Sequence, residues 1–321
     1  MASSIEQNEA IALSAATLVE QQPQRRRPRA SGLIRSQRRA GWIMLAPAFL
    51  NITIFLGVPL VAAAVLSFTD YGLFSPPIFI GFQNYIDLIQ DPDFLVSVVN
   101  TIVYTLLVVP LGMALALVGA LALNMGIRAR SLYRVLFYIP VVTATVSVAT
   151  VWLWILNPNV GLANEILGLF GLPPSRWLTS PDTALASLAM IGIWQGLGTK
   201  MVIYLAALQG VDPALLEAAR LDGANNWQTF WNVTWPALGP SHFFVLVTSI
   251  IASFQVFDLV YVTTKGGPAN STRVLVYDIY ENAFSGLHFG LASAESVFMF
   301  ILIGIFILAG LRLQKGSSSG H

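Results

Sequence analysis

Long apolar runs alternate with shorter polar ones along this chain. Six of the runs, near 42–68, 97–125, 134–156, 184–210, 242–264 and 291–313, hold mostly apolar residues. Each is long enough to cross a bilayer, since about 20 residues at a rise of about 1.5 Å span the hydrocarbon core. Pro47, Pro59, Pro110 and Pro140 fall inside them, where neighbouring helices can satisfy the backbone groups that a kink frees. The pattern predicts an all-α integral membrane protein with six transmembrane helices and both chain ends on one side of the membrane.

The polar stretches between the runs differ in character. In residues 212–236, Asp212 is placed to cap a helix and Pro213 to occupy its first position, where no donor is needed. Gly223 is placed to end that helix, and Asn225 or Asn226 to start a second. Trp227, Phe230 and Trp231 share a face at helical spacing, with Pro236 as the expected stop. The spacing predicts a compact helix-turn-helix facing a soluble partner. Segments 69–96, 157–183 and 265–290 are longer than a simple connection requires and are expected to be docking surfaces. Within them, Leu162 to Phe170 forms a short amphipathic stretch, while Gly266-Gly267-Pro268 marks a turn ahead of Tyr277, Tyr280 and Phe284.

Composition agrees with the membrane reading: 55% apolar residues, 10% charged residues and a mean hydropathy of +0.69 over 321 residues. The net charge of +1 hides an asymmetry. Arg25, Arg26, Arg27, Arg29, Arg35, Arg38 and Arg39 precede the first run, and Arg128, Arg130, Arg134, Arg220, Arg312 and Lys315 fall on the same side. The other side has Arg176, Lys265 and Arg273. Because positive charge is retained inside, both termini and the 212–236 loop are expected in the cytoplasm. Residues 1–40 read as a largely disordered, basic cytoplasmic segment, 41–313 as the membrane domain, and 314–321 as a tail ending in a tag-like Gly-Ser-Ser-Ser-Gly-His.

The residues Glu217-Ala218-Ala219, then Gly223 after three intervening residues, then Val233-Thr234-Trp235-Pro236 after nine more, resemble the EAA loop of bacterial ABC importer permeases. Asp222-Gly223-Ala224 matches the carbohydrate branch of that family, of the maltose and glycerol-3-phosphate type, and the segments 157–183 and 265–290 resemble its external loops. Trp235 departs from the family's usual aliphatic residue. The resemblance implies a type I importer permease fold in the bacterial inner membrane, and a coupling helix that docks in a groove of an ATPase subunit. Glu217 would anchor that helix, Gly223 would set its turn, and Leu215, Leu216 and Ala219 would supply apolar contact, within a motif that also takes in Ala218, Asp222 and Pro236. The implied partners are two ATPase copies binding ATP and Mg, a second homologous permease chain forming a heterodimer, and an extracytoplasmic solute-binding protein. The implied solute is a sugar, an oligosaccharide or a glycerol-phosphate compound. No nucleic acid and no cofactor of the chain's own are expected.

Ionisable groups inside apolar runs mark pathways or partners. Lys200 lies within the fourth run, and Gln255 and Asp258 share a face of the fifth at comparable depth. These three define a candidate polar site for a hydroxyl-rich solute, with Gln195, Trp194 and Trp152 as aromatic and amide co-liners. The alternative is an ion-coupled secondary transporter using a Lys200/Asp258 pair. No G-x-x-x-x-G-K-[ST] loop occurs, so energy from ATP would have to enter through another subunit. With no cysteine, no His-Glu-x-x-His pair, and His242, His288 and His321 scattered, neither a metal centre nor thiol chemistry is expected.

Overall fold

The computed structural model describes residues 30–125 and 130–318. The expected disorder before residue 30, Arg128, and the last residues of the tag-like end lie outside the described residues. The described chain divides into two units, one up to residue 60 and one from 61 onward.

The first apolar run is α1 (Ala30–Ile52), a π-turn (Thr53–Gly57) and α2 (Val58–Leu66). Helix therefore starts at Ala30, inside the stretch expected to be unstructured. Its Arg, Gln, Leu and Ile residues are good or fair helix formers, and they continue directly into the apolar span.

A two-stranded ribbon follows, β1 (Thr69–Asp70) paired antiparallel with β2 (Ile78–Phe79). Then come α3 (Gln83–Gln90) and α4 (Pro92–Asn124). Asp91 caps α4, its carboxylate accepting from the Asp93 amide at 2.9 Å, and Pro92 takes the first position. Helices α5 (Arg130–Val142) and α6 (Thr145–Ile155) form the third run, where the sequence allows a kink at Pro140, and meet at a 100° bend. Pro140 removes one ladder donor, and the Thr143 hydroxyl donates to the Ile139 carbonyl at 2.8 Å. Both weaken the last turn of α5.

The remaining elements are α7 (Leu162–Leu169), α8 (Pro181–Gln209), α9 (Pro213–Leu221), α10 (Asn226–Thr229), α11 (Trp235–Ala237), α12 (Gly239–Phe254), α13 (Asp258–Thr263), α14 (Leu275–Tyr280) and α15 (Phe289–Ser318). Among the described residues, five helices are long and apolar enough to cross a membrane, or six if the bent α5–α6 pair counts as one span.

The core of the second unit lies between α4 and α8. At one end, Tyr104 and Val108 pack with Leu188 and Ile191; at the other, Ala116, Leu117 and Ala120 pack with Met201, Tyr204 and Leu205. Small residues let the backbones approach closely. A Cβ on Gly198 of α8 would stand 2.2 Å from the Phe137 carbonyl oxygen of α5.

Asparagines organise the long connecting segments. Asn84 donates to the Ser67 and Thr69 carbonyls, and Asn100 to those of Asn270 and Arg273. Asn164 joins Pro158, Ser175 and the Trp177 indole. Arg273 pairs with Asp278 and, at 2.7 Å, with Glu281. Burial pushes the Asp278 carboxyl above the usual carboxylate range, against the pull of Arg273.

Candidate functional site

The loop between α8 and α12 is built by capping chemistry that is local to it. The Asp212 carboxylate accepts from the Ala214 amide at 2.9 Å, which starts α9. At the other end, the Ala224 amide donates to the Ala219 carbonyl at 2.9 Å and the Gly223 amide to that of Arg220 at 3.1 Å. This is a Schellman closure. It requires the left-handed backbone that Gly223 adopts at φ +81°. Asn225 and Gln228 then form a reciprocal capping box with both bonds at 2.9 Å.

Pro236 is not the stop that its position suggests. A π-turn over Phe230–Thr234 leads into α11, where Pro236 sits in the first turn, and the chain bends only at Leu238. The wider turn shifts the amide register, so the missing donor falls where a helix start leaves none required.

Leu215, Glu217, Ala218, Asp222 and Gly223 are exposed, whereas Leu216 and Ala219 are half-buried. Leu221 and Trp227 are 89% and 70% exposed. From Trp227, ring contacts run inward: to Trp231 at 5.6 Å, on to Trp235 at 5.2 Å, to His242 at 4.2 Å, and to the buried Tyr204 at 5.3 Å. His242 Nδ1 and the Tyr204 hydroxyl are 3.1 Å apart. Tyr204 lies one turn along α8 from Lys200, so both are on one face.

Lys200, Gln195, Gln255 and Asp258 line one cavity of about 630 Å³, together with Tyr104, Thr145, Ser249 and Ser253. Its size is in the range of ligand sites, about 300–1,000 Å³. The break between α12 and α13 puts Gln255 and Asp258 there. Gln195 Nε2 donates to the Thr145 hydroxyl at 3.1 Å, across from α8 to the bend.

Trp194 and Trp152 are not part of this cavity. Their rings meet edge to face at 5.5 Å, with Trp152 against the core and Trp194 lining a separate apolar groove beside Leu111 and Met190. At these positions ring packing takes the tryptophans off the polar face. Lys200 and Asp258 share the cavity but form no ion pair; the ion pairs among the described residues belong to Arg273. Tyr104, Thr145, Ser249 and Ser253 carry no distinguishing signal in the sequence. The glycines do: Gly192 and Gly196, four apart on α8, bare the face that these groups share.

Comparison with known proteins bears on both regions. Residues 108–315 match the family model described as binding-protein-dependent transport system inner membrane component. A probable ABC transporter permease protein, YesP of Bacillus subtilis (strain 168), is 35% identical over 280 residues, covering 86% of this chain and 90% of that one. The multiple sugar-binding transport system permease protein MsmF of Streptococcus mutans serotype c is 32% identical, covering 86% and 95%. A crystal structure of a bacterial ABC transporter involved in import of the acidic polysaccharide alginate includes a chain that superposes with a TM-score of 0.76 at 25% identity, covering 88% of this chain and 98% of that one.

Proposed function

The chain belongs to the binding-protein-dependent transport system inner membrane component family, and on that premise we propose that it is the membrane-spanning subunit of an ATP-driven importer for a sugar or oligosaccharide. The sugar class rests on relatives such as MsmF and on the alginate importer. The proposal includes four partners: two ATPase copies that bind ATP and Mg, a second homologous permease chain, and an external binding protein that delivers the solute. The termini and the α9–α10 loop face the cytoplasm, as the distribution of Arg and Lys supports.

The observation that carries the reading is the doubly capped α9–α10 pair, which presents Leu215, Glu217, Leu221 and Trp227 at the end of a membrane helix. A loop closed by its own hydrogen bonds moves as a body. Closure of the ATPase pair would displace it, and the ring contacts from Trp227 to Tyr204 give that displacement a route into α8, the helix that carries Gln195 and Lys200. ATP then biases a two-state bundle because its two states hold the loop differently.

Purification from its native membrane in mild detergent tests the assembly. The chain is expected to elute with an ATPase and a homologous permease, and reconstituted vesicles are expected to accumulate sugar only with ATP and the binding protein. Glu217→Ala and Gly223→Pro should retain ATP hydrolysis while losing most uptake. Uptake by the chain alone under an ion gradient would overturn the reading.

A further inference from the structure

The cavity's charge is the feature the importer reading leaves unexplained. Lys200 Nζ sits against bare backbone: a Cβ on Gly112 would stand 2.9 Å from it, and one on Gly196 3.5 Å. These glycines, one on α4 and one on α8, give the ammonium room and no counter-charge. Among the described residues Lys200 makes no ion pair and no side-chain hydrogen bond. Nor can it escape to water along its own helix. Lys200 lies nine residues before Gln209, the end of α8, which is about 14 Å along the axis and beyond the reach of a four-carbon stem. Its one opposite charge within the cavity is Asp258, unpaired with it.

An ammonium has three donors and no acceptor, so sugar hydroxyls satisfy it only as acceptors, whereas an anion also meets its charge. Asp258 has the complementary capacity: an ionised carboxylate only accepts, and hydroxyl groups donate. Gln195 and Gln255 offer both. Ser249 Oγ, buried in the same wall, has no protein partner. We propose that the solute this cavity takes is an acidic saccharide, whose anionic group meets Lys200 while Asp258 and the two amides take its hydroxyls. A neutral sugar would offer the ammonium hydroxyl oxygens as acceptors but no counter-charge, which is costly in a membrane interior. The proposal rests on the importer reading. The anionic group is a carboxylate or a phosphate, the chemistry that a single point charge recognises in common.

The test is direct binding to the purified permease–ATPase complex in nanodiscs, without the binding protein so that its selectivity does not intervene. Three probes of similar size are compared: a disaccharide uronate, a disaccharide phosphate and a neutral disaccharide. At least one acidic probe is expected to bind 10-fold or more tighter than the neutral one, and which of them does so identifies the anionic group. Equal binding by all three, or preference for the neutral probe, overturns the proposal on the natural protein alone. Lys200→Met should abolish the acidic preference and Lys200→Arg should retain most of it, with co-elution of the ATPase reporting assembly. An acidic preference that survives in Lys200→Met also overturns it. The same nanodiscs are assayed for ATP hydrolysis stimulated by loaded binding protein. Stimulation with neutral-sugar preference sinks only the acidic assignment, while absence of stimulation with any solute sinks the importer reading itself.

Discussion

Two residues show how differently a single added group is tolerated. At Gly198 the obstacle to a Cβ is the Phe137 carbonyl oxygen, 2.2 Å away, and backbone cannot rotate aside. Gly198→Ala is expected to force α5 off α8 at a cost of about 1–3 kcal/mol, read as a lower thermal inactivation midpoint of the complex. At Gly192 the obstacle is the Tyr104 hydroxyl, 2.3 Å away, the far end of a side chain that lines the cavity. Arg273 is a third case. Its removal leaves Asp278, 1% exposed, without its countercharge. Arg273→Ala is expected to cost about 3 kcal/mol or more, again as a lower midpoint. Glu281 is 35% exposed at its side chain and contributes less, since water screens it.

At the scale of elements, the aromatic contacts from Trp227 to Tyr204 predict a graded phenotype. Trp235→Leu removes the ring between Trp231 and His242 while keeping an apolar side chain of the kind common in the family. It is expected to lower the amount of sugar moved per ATP several-fold while leaving assembly intact. An unchanged ratio would show that the loop reaches α8 by another route, and a double-mutant cycle with Tyr204→Phe measures the coupling. The caps of α9 and α10 were legible in the sequence, because Asp212, Gly223 and Asn225 act on backbone groups two to five residues away. So were the apolar spans and the polar exceptions Lys200, Gln195, Gln255 and Asp258. What stayed hidden was set by packing. Pro236 looks like a terminator unless the π-turn before it is known, and the direction of the Trp152 and Trp194 rings depends on neighbouring helices. Thr145, Ser249 and Ser253 were silent because Ser and Thr hydroxyls in apolar helices routinely bond to their own backbone, as Ser253 does with Ile250, and Tyr104 because an aromatic residue in an apolar run reads as packing.

For the whole molecule, orientation is the property on which the transport reading turns, and a chain with no cysteine is ready for its measurement. Leu169 and Leu221 are 85% and 89% exposed, on segments expected to face opposite sides of the membrane. Leu221→Cys is expected to react with a membrane-impermeant maleimide only in inside-out vesicles, and Leu169→Cys only in spheroplasts. The reverse labelling would place the α9–α10 loop away from any cytoplasmic ATPase. A last consequence comes from the angle between α5 and α6. Two short rods meeting at 100° are joined by Thr143 and Ala144, and Thr145 at the joint faces the cavity. One wall of the cavity is thus an elbow and not a straight helix. On the importer reading proposed above, a change in the angle of that elbow would alter the width of the space it borders without exchanging any residue that lines it.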